Sequence, residues 1–364
     1  MAYTTINKSS DYFKTKLYTG NGTSQSFTDL DFEPGFSWIK KRFSPGQHAG
    51  LYDTVRGANK RTSFGTSTDE ATDTQGLTSF DTNGFSVGSD DLVNASAEDY
   101  VSWNLKGGTT INNGASGTQV ASVNNVNTSI GFSIITFTAT GNVTTIAHNL
   151  GVAPDMIIVK QLNDSFNGGS MYHYGSTKRN TVAAETQYIQ MQSTAAAVTS
   201  NDFWDNTAPT STHFTIGTPA GSFNSSGSKM LAYCFVSVPG FSRFGTFEGN
   251  DSDSYSHGCT VDLGFEPAFV MTRIINLSGT WNIYDSERIG SAANQANHHA
   301  RHKPMPIGTS SASGTPTETT NKNTFLSNGF TVKHGPNAEY RKSVYAAFAK
   351  TPMVGTNDVP NTAV

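Results

Sequence analysis

The chain has 364 residues, of which 14% are charged and 35% hydrophobic, with a formal net charge of −4. A scarcity of Leu, Glu and Lys excludes a helical bundle, and the small net charge with 11% aromatics excludes charge-driven disorder. The absence of a basic excess argues against a nucleic-acid binder, and no apolar run is long enough to span a membrane.

What remains is an all-β protein. Its 23 Phe, 13 Tyr and 4 Trp can fill a core, while abundant Ser, Thr, Asn and Gly supply turns and outward faces. The opening residues 1–16 are polar, lack the apolar stretch of a secretory signal, and read as an N-terminal arm. Cys234 and Cys259 are too few for a disulfide framework and read as free thiols of a reducing compartment.

Beyond the arm, one pattern recurs three times. An apolar strand led by proline appears as Leu30–Lys40 (LDFEPGFSWIK), Leu150–Lys160 (LGVAPDMIIVK) and Leu263–Arg273 (LGFEPAFVMTR). Proline at a strand's start costs no ladder donor. Each is preceded by a strand ending in a turn, at Tyr18–Gly22, Phe137–Asn142 and Phe247–Asn250. Each is followed by an aromatic strand: Leu51–Gly57 (LYDTVRG), Met171–Tyr174 (MYHY) and Ile283–Arg288 (IYDSER). Asn83-Gly84 and Asn328-Gly329 then predict tight hairpins with positive φ, whereas the middle copy keeps only the strand His213–Ile216. Small-aromatic strands close the units at Tyr100–Leu105, Met230–Phe235 and Val344–Ala349.

These repeats predict three tandem β-sandwich domains of jelly-roll type, at 17–107, 131–238 and 239–350. Residues 108–130 read as a Gly/Asn/Ser/Thr linker and 351–364 as a C-terminal tail. No long helix is expected. A polar insert at 290–322 reads slightly better as a subunit contact than as a binding loop.

Candidate chemistry is sparse. No nucleophile elbow, paired zinc-protease histidines or phosphate loop is present, so no catalytic, cofactor-binding or metal-binding residue is assigned and no cofactor is expected. Asp90-Asp91 reads as a solvated turn. His298, His299 and His302 read as a solvated basic loop rather than a zinc site, and Asn250–Asp253 lacks a complete calcium loop. Asp53 with Arg56, and Asp285 with Arg288, form the sharpest polar echo. They either bind a polar ligand on two units or fix a turn as ion pairs, and their absence from the middle unit favours the second. Trp204, in a polar stretch, is the one tryptophan placed to stack on a glycan, against the alternative of capping its own sandwich.

The sequence resembles a family of repeat proteins of marine tailed bacteriophages described as tail fibre or other virion structural proteins. The words that carry this are residues 1–42, LYDTVRGANK at 51–60, GLTSFDTNGFSVGS at 76–89 and VNASAEDYVSWNLKGG at 93–108. LGVAPDMIIVK at 150–160, WNIYDSER at 281–288 and FLSNGF at 325–330 add to them, and together they cover nearly all of the chain. The resemblance implies a non-enzymatic virion component, assembled in the host cytoplasm and released by lysis. Its expected place is a tail fibre or tail-associated part that meets the host surface. A particle decoration without receptor role is the alternative, and a glycan depolymerase a third. Expected partners are other virion subunits, through the N-terminal arm and the repeat faces, and host-surface glycan, with no nucleic acid or membrane. The protein is expected to be a homo-oligomer in the particle, or three units closed into one pseudo-threefold body.

Overall fold

A computed structural model describes residues 4, 6–42, 49–163, 169–176, 182–218, 223–249, 259–288, 305–306, 324–332 and 341–352. The histidine cluster at 298–302, the Asn250–Asp253 run and the tail from 353 lie outside the described residues, as does most of the insert at 290–322.

The protein is all-β, and every ladder between named strands is antiparallel. Three large sheets dominate, and four strands follow one order in each. In the first, the opening strand Phe13–Thr19 pairs with the closing strand Asp99–Lys106. That strand pairs with the proline-led strand Pro34–Lys41, and Gly50–Asp53 follows. In the second the order is Phe132–Thr138, Lys229–Phe235, Met156–Gln161 and Ser170–His173. In the third it is Ser242–Glu248, Lys342–Pro352, Phe265–Ile274 and Asn282–Asp285. The registers coincide as well. Phe36, Met156 and Phe269 each face an aromatic or Leu of the closing strand (Leu105, Phe235, Phe348) and Asp53, His173 or Asp285 on the other side.

Side chains alternate along a strand, and here both faces of the large sheets are covered. That is why the proline-led strands read as unbroken apolar runs rather than as alternating ones. One face of each large sheet packs under a small sheet. In the first case this is Gln25–Phe27, Gly84–Val87 and Leu77–Asp81, giving a core of Tyr18, Phe27, Ile39, Phe85 and Tyr100. The second large sheet has a corresponding core around Ile157, Val159, Phe214 and Cys234, and the third around Val270, Phe330 and Tyr345. The opposite faces of all three large sheets meet in one shared core. Phe36, Trp38 and Trp103 come from the first sheet, Met156, Tyr233 and Phe235 from the second, and Phe269, Met271 and Phe348 from the third. Rings interlock across the sheet boundaries, with Phe13 stacked on Phe348 at 5.0 Å and Phe36 edge-on to Tyr233 at 5.2 Å.

Within the shared core lies an apolar cavity of about 40 Å³, bounded among others by Trp38, Trp103, Met156, Tyr233, Phe269 and Ala346. A wholly apolar space of this kind stays dry. By register, Ala346 occupies the position held by Trp103 and Tyr233 in the other two sheets, so the cavity sits where the third sheet contributes the smallest side chain. Ala346→Val is therefore expected to raise the unfolding free energy by about 1 kcal/mol, from two added buried carbons. Urea midpoints compare the variants, and a fall would mean that the core cannot take the added volume.

Two segments differ from expectation. Residues 1–16 do not project as an arm where they are described. Ile6 is 2% exposed within the shared core, and Phe13–Thr19 is the opening strand itself. Apolar Ile6 and Phe13 gain more by burial than polar Lys8 and Ser10 gain by solvation. The stretch 108–130 is not a linker but supplies two strands, Thr109–Asn113 and Ser122–Asn127, which extend the second large sheet beyond its opening strand to eight strands. Val126 and Ile111 give this hairpin its apolar side against the second sheet's core.

The Asn-Gly hairpins form, but without positive φ. Their central residues are Thr82-Asn83 and Ser327-Asn328, and neither they nor Gly84 and Gly329 adopt the left-handed region. Glycine is required there for another reason. A Cβ would lie 1.9 Å from the Phe27 carbonyl oxygen at position 84 and 2.0 Å from that of Val261 at position 329. The turn carbonyls then dock on the chain entering the proline-led strands, Asn83 accepting from the Leu30 amide at 3.0 Å and Asn328 from that of Leu263 at 2.7 Å.

Candidate functional site

The Asp…Arg motifs come at the end of the fourth strand in the first and third large sheets. Asp53 stops its strand by accepting the backbone amides of Val55 and Arg56 through Oδ1, at 3.1 and 3.0 Å. Its Oδ2 accepts Arg56 Nε at 2.6 Å. Arg56 spends its remaining donors on Glu70 and on the Leu51 carbonyl, both at 3.1 Å. Asp285 repeats the arrangement with the amides of Glu287 and Arg288 at 3.2 and 2.8 Å, and with Arg288 Nε. Arg288 also donates to the Ile283 carbonyl at 3.1 Å. Both carboxylates are 0% exposed and the arginine side chains 3% and 2%. Burial opposes the charge on Arg56, yet Asp53, Tyr233 and Glu70 outweigh it and hold the guanidinium above its ordinary pKa. Of the two expectations, the geometry is that of a turn-fixing pair, each carboxylate being fully buried and capping the turn that follows its own strand.

What the pairs hold together is not legible in the order of residues. Asp53 Oδ2 also accepts the Tyr233 hydroxyl at 2.7 Å, from the closing strand of the second sheet. Asp285 Oδ2 accepts Trp103 Nε1 at 3.1 Å, from the closing strand of the first. The middle sheet completes the set with His173. Its Nδ1 accepts the Gly175 amide at 3.1 Å, which leaves the proton on Nε2, and Nε2 donates to the Tyr345 carbonyl at 3.1 Å, on the closing strand of the third sheet. Each fourth strand is thus fastened to the next sheet's closing strand, from first to second, second to third and third to first.

The swap from carboxylate to imidazole follows from what lies opposite. Tyr233 and Trp103 present hydrogen-bond donors, but their counterpart is Ala346, so the third sheet offers only a backbone acceptor at Tyr345. An anionic Asp would repel that carbonyl, whereas a neutral imidazole supplies the donor. Burial, partly offset by the Tyr345 contact, presses the His173 pKa down to about 4 and so keeps the ring neutral.

The basic residues of the proline-led strands run in the opposite circular sense. Lys40, Lys160 and Arg273 occupy equivalent positions and are all buried. Lys160 donates to the Thr66 carbonyl of the first segment at 3.2 Å. Arg273 donates to the carbonyls of Gln190 and Ala195 in the second and lies 5.3 Å above the Trp281 ring. Lys40 lies near Arg288 of the third. Burial and then Arg288 lower the Lys40 pKa to about 8, and burial and then Arg56 do the same to Lys160.

The remaining sequence candidates separate from this constellation. Trp204 is not a stacking platform. It is 2% exposed, donates to the Gln187 carbonyl at 2.9 Å, and meets Tyr172 edge-on at 6.0 Å. Its large apolar ring is drawn into the second core, and its one polar atom finds a backbone partner there. Asp90 caps a short helix, Asp91–Asn94, by accepting the Leu92 amide at 2.6 Å. Cys234 and Cys259 are both free thiols, and burial raises the pKa of the first. Among the described residues, no group of three or more His, Cys, Asp or Glu is placed to hold a metal ion, and no helix is long and apolar enough to cross a membrane.

Residues 8–352 match the model of a protein family described as a domain of unknown function, DUF7483, and the chain belongs to that family. No curated protein matches it.

Proposed function

We propose that this member of the family is a non-enzymatic structural protein of a tailed-bacteriophage virion, a tail fibre or tail-associated component that takes part in attachment to the host surface. In this reading the three large sheets with their small sheets are tandem jelly-roll-like β-sandwich repeats. They close head to tail around one axis, so that a single chain builds a pseudo-threefold body.

The observation that carries the reading is the circular set of fastenings through Asp53, His173 and Asp285. Three buried polar side chains, two of them charged, hold the sheets together, which is what a rigid building block requires. The resemblance of its sequence words to marine phage repeat proteins supports the choice of a phage particle. The outward faces of the repeats would meet neighbouring subunits and host glycan, since the described part of the opening segment is folded into the body.

Imaging the purified phage after labelling with an antibody against this chain tests the proposal. Label on the tail or fibres is the expected result. Label on the head would favour a particle decoration, and label in the lysate but on no particle would overturn the virion assignment altogether.

A further inference from the structure

The strand Thr109–Asn113 forms one margin of the eight-stranded sheet. It pairs with Ser122–Asn127 on one side, and among the described residues nothing pairs with the other. Such a margin presents a row of unused amides and carbonyls, which proteins normally blunt with charges, proline, bulges or brevity.

The other large-sheet margins of this chain are blunted in those ways. The outer strand of the first sheet carries Lys14 and Lys16, paired with Asp31 and Asp29. Its far strand, Gly50–Asp53, is bridged to Thr62 through both Leu51 backbone groups, at 2.8 and 3.1 Å. The third sheet's opening strand bears Arg243 and Glu248, and its far strand is Met305–Pro306. The far margin of the second sheet is two residues long, Val198–Thr199. Thr109–Asn113 has none of these devices. It is regular over five residues, and the sequence from 107 to 154 contains no Asp, Glu, Lys or Arg. Thr109, Thr110 and Asn112 are exposed, and Val123, opposite Asn112 in register, is 39% exposed beside them.

We propose that this strand is a self-docking edge, through which two copies of the chain pair antiparallel across a twofold axis centred on Ile111. An uncharged edge meets its own copy without repulsion, and antiparallel pairing about a twofold makes one strand complementary to itself. The two eight-stranded sheets then run on as one, and the Val123 side chains add apolar cover on one face. This inference does not depend on the virion reading.

The full chain, measured by light scattering up to about 100 µM, the range in which a weak interface assembles, is expected to pass from its 38.9 kDa monomer mass to twice that value. Thr110→Lys combined with Asn112→Lys sets lysine opposite lysine at two points and is expected to weaken dimerisation at least about tenfold. The circular dichroism and thermal midpoint should stay unchanged, because both positions are exposed. Thr110→Cys with Asn112→Cys, in a Cys259→Ser background, is expected to give a covalent dimer on mild oxidation, since opposed strand positions fall within disulfide reach. A chain that stays monomeric throughout overturns the proposal. So does a dimer that ignores the lysines and does not cross-link.

Discussion

Asp53→Ala is expected to lower the unfolding free energy by about 3–5 kcal/mol, the range for removing one partner of a buried ion pair. The substitution strips the Arg56 guanidinium of its closest counter-charge, frees two backbone amides that the carboxylate had capped, and leaves the Tyr233 hydroxyl unpaired. Tyr233→Phe removes only the last of these and is expected to cost about 1.5–3 kcal/mol, as for a hydrogen bond to a charged group. The two losses should not add, because both variants sever the same link between the first and second sheets. Urea unfolding at pH 7 measures all three proteins. If Asp53→Ala cost less than about 1 kcal/mol, the fastening would have no energetic weight and the rigid-body reading would lose its support.

Acid should weaken the fold well before the carboxylates titrate. His173 and His148 share one arrangement, with Nδ1 accepting the amide two residues on and Nε2 facing a backbone carbonyl, Tyr345 for the first and Thr210 for the second. Burial foremost lowers both pKa values to about 4. In the unfolded chain an imidazole takes a proton near pH 6.5. A folded-state pKa below the unfolded one means that protons bind the unfolded chain preferentially between those values. The stabilisation is therefore complete above about pH 7, declines as pH falls through 6.5, and is spent near pH 4. The pKa difference corresponds to about 3 kcal/mol for each ring. Unfolding free energies measured from pH 7.5 to 4 should fall accordingly. His173→Asn should be less stable at pH 7 but have a slope shallower by about one histidine's share, and an unchanged slope would show that the ring is not held neutral at this seam.

The recurring proline-led strands were readable from sequence because an unbroken apolar run needs cover on both sides, and three such runs with proline at one offset define three equivalent central strands. What covers them was not readable. Phe36, Met156 and Phe269 look alike in the chain whether they fill three separate cores or one, and only the fold brings them together. Lys40, Lys160 and Arg273 look like polar strand ends, yet all three are buried, and Lys160 and Arg273 donate to carbonyls of a neighbouring segment. His173 was hidden for a related reason. The middle segment lacks the Asp…Arg word, so position 173 looked like a loss, when it is a replacement matched to a backbone acceptor more than 170 residues away. Trp204 misled because its polar neighbours describe the chain around it and not the pocket into which its ring turns. The strands at 109–113 and 122–127 were hidden by composition, since Asn and Ser in a sheet margin are indistinguishable from Asn and Ser in a loop.

The three fastenings share one geometry but not one chemistry, and this difference makes the segments non-interchangeable. Were all three identical, any segment could take any neighbour, within a chain or between chains on a crowded assembly line. As built, Asp53 or Asp285 set against the Tyr345 carbonyl would confront acceptor with acceptor, and His173 set against the Trp103 indole would confront donor with donor. Each of these two mismatches leaves a buried polar group unsatisfied, at about 1–3 kcal/mol apiece. Divergence among the segments thus proofreads their order, and a permuted ring is rejected at the seams by the same hydrogen bonds that close the correct one.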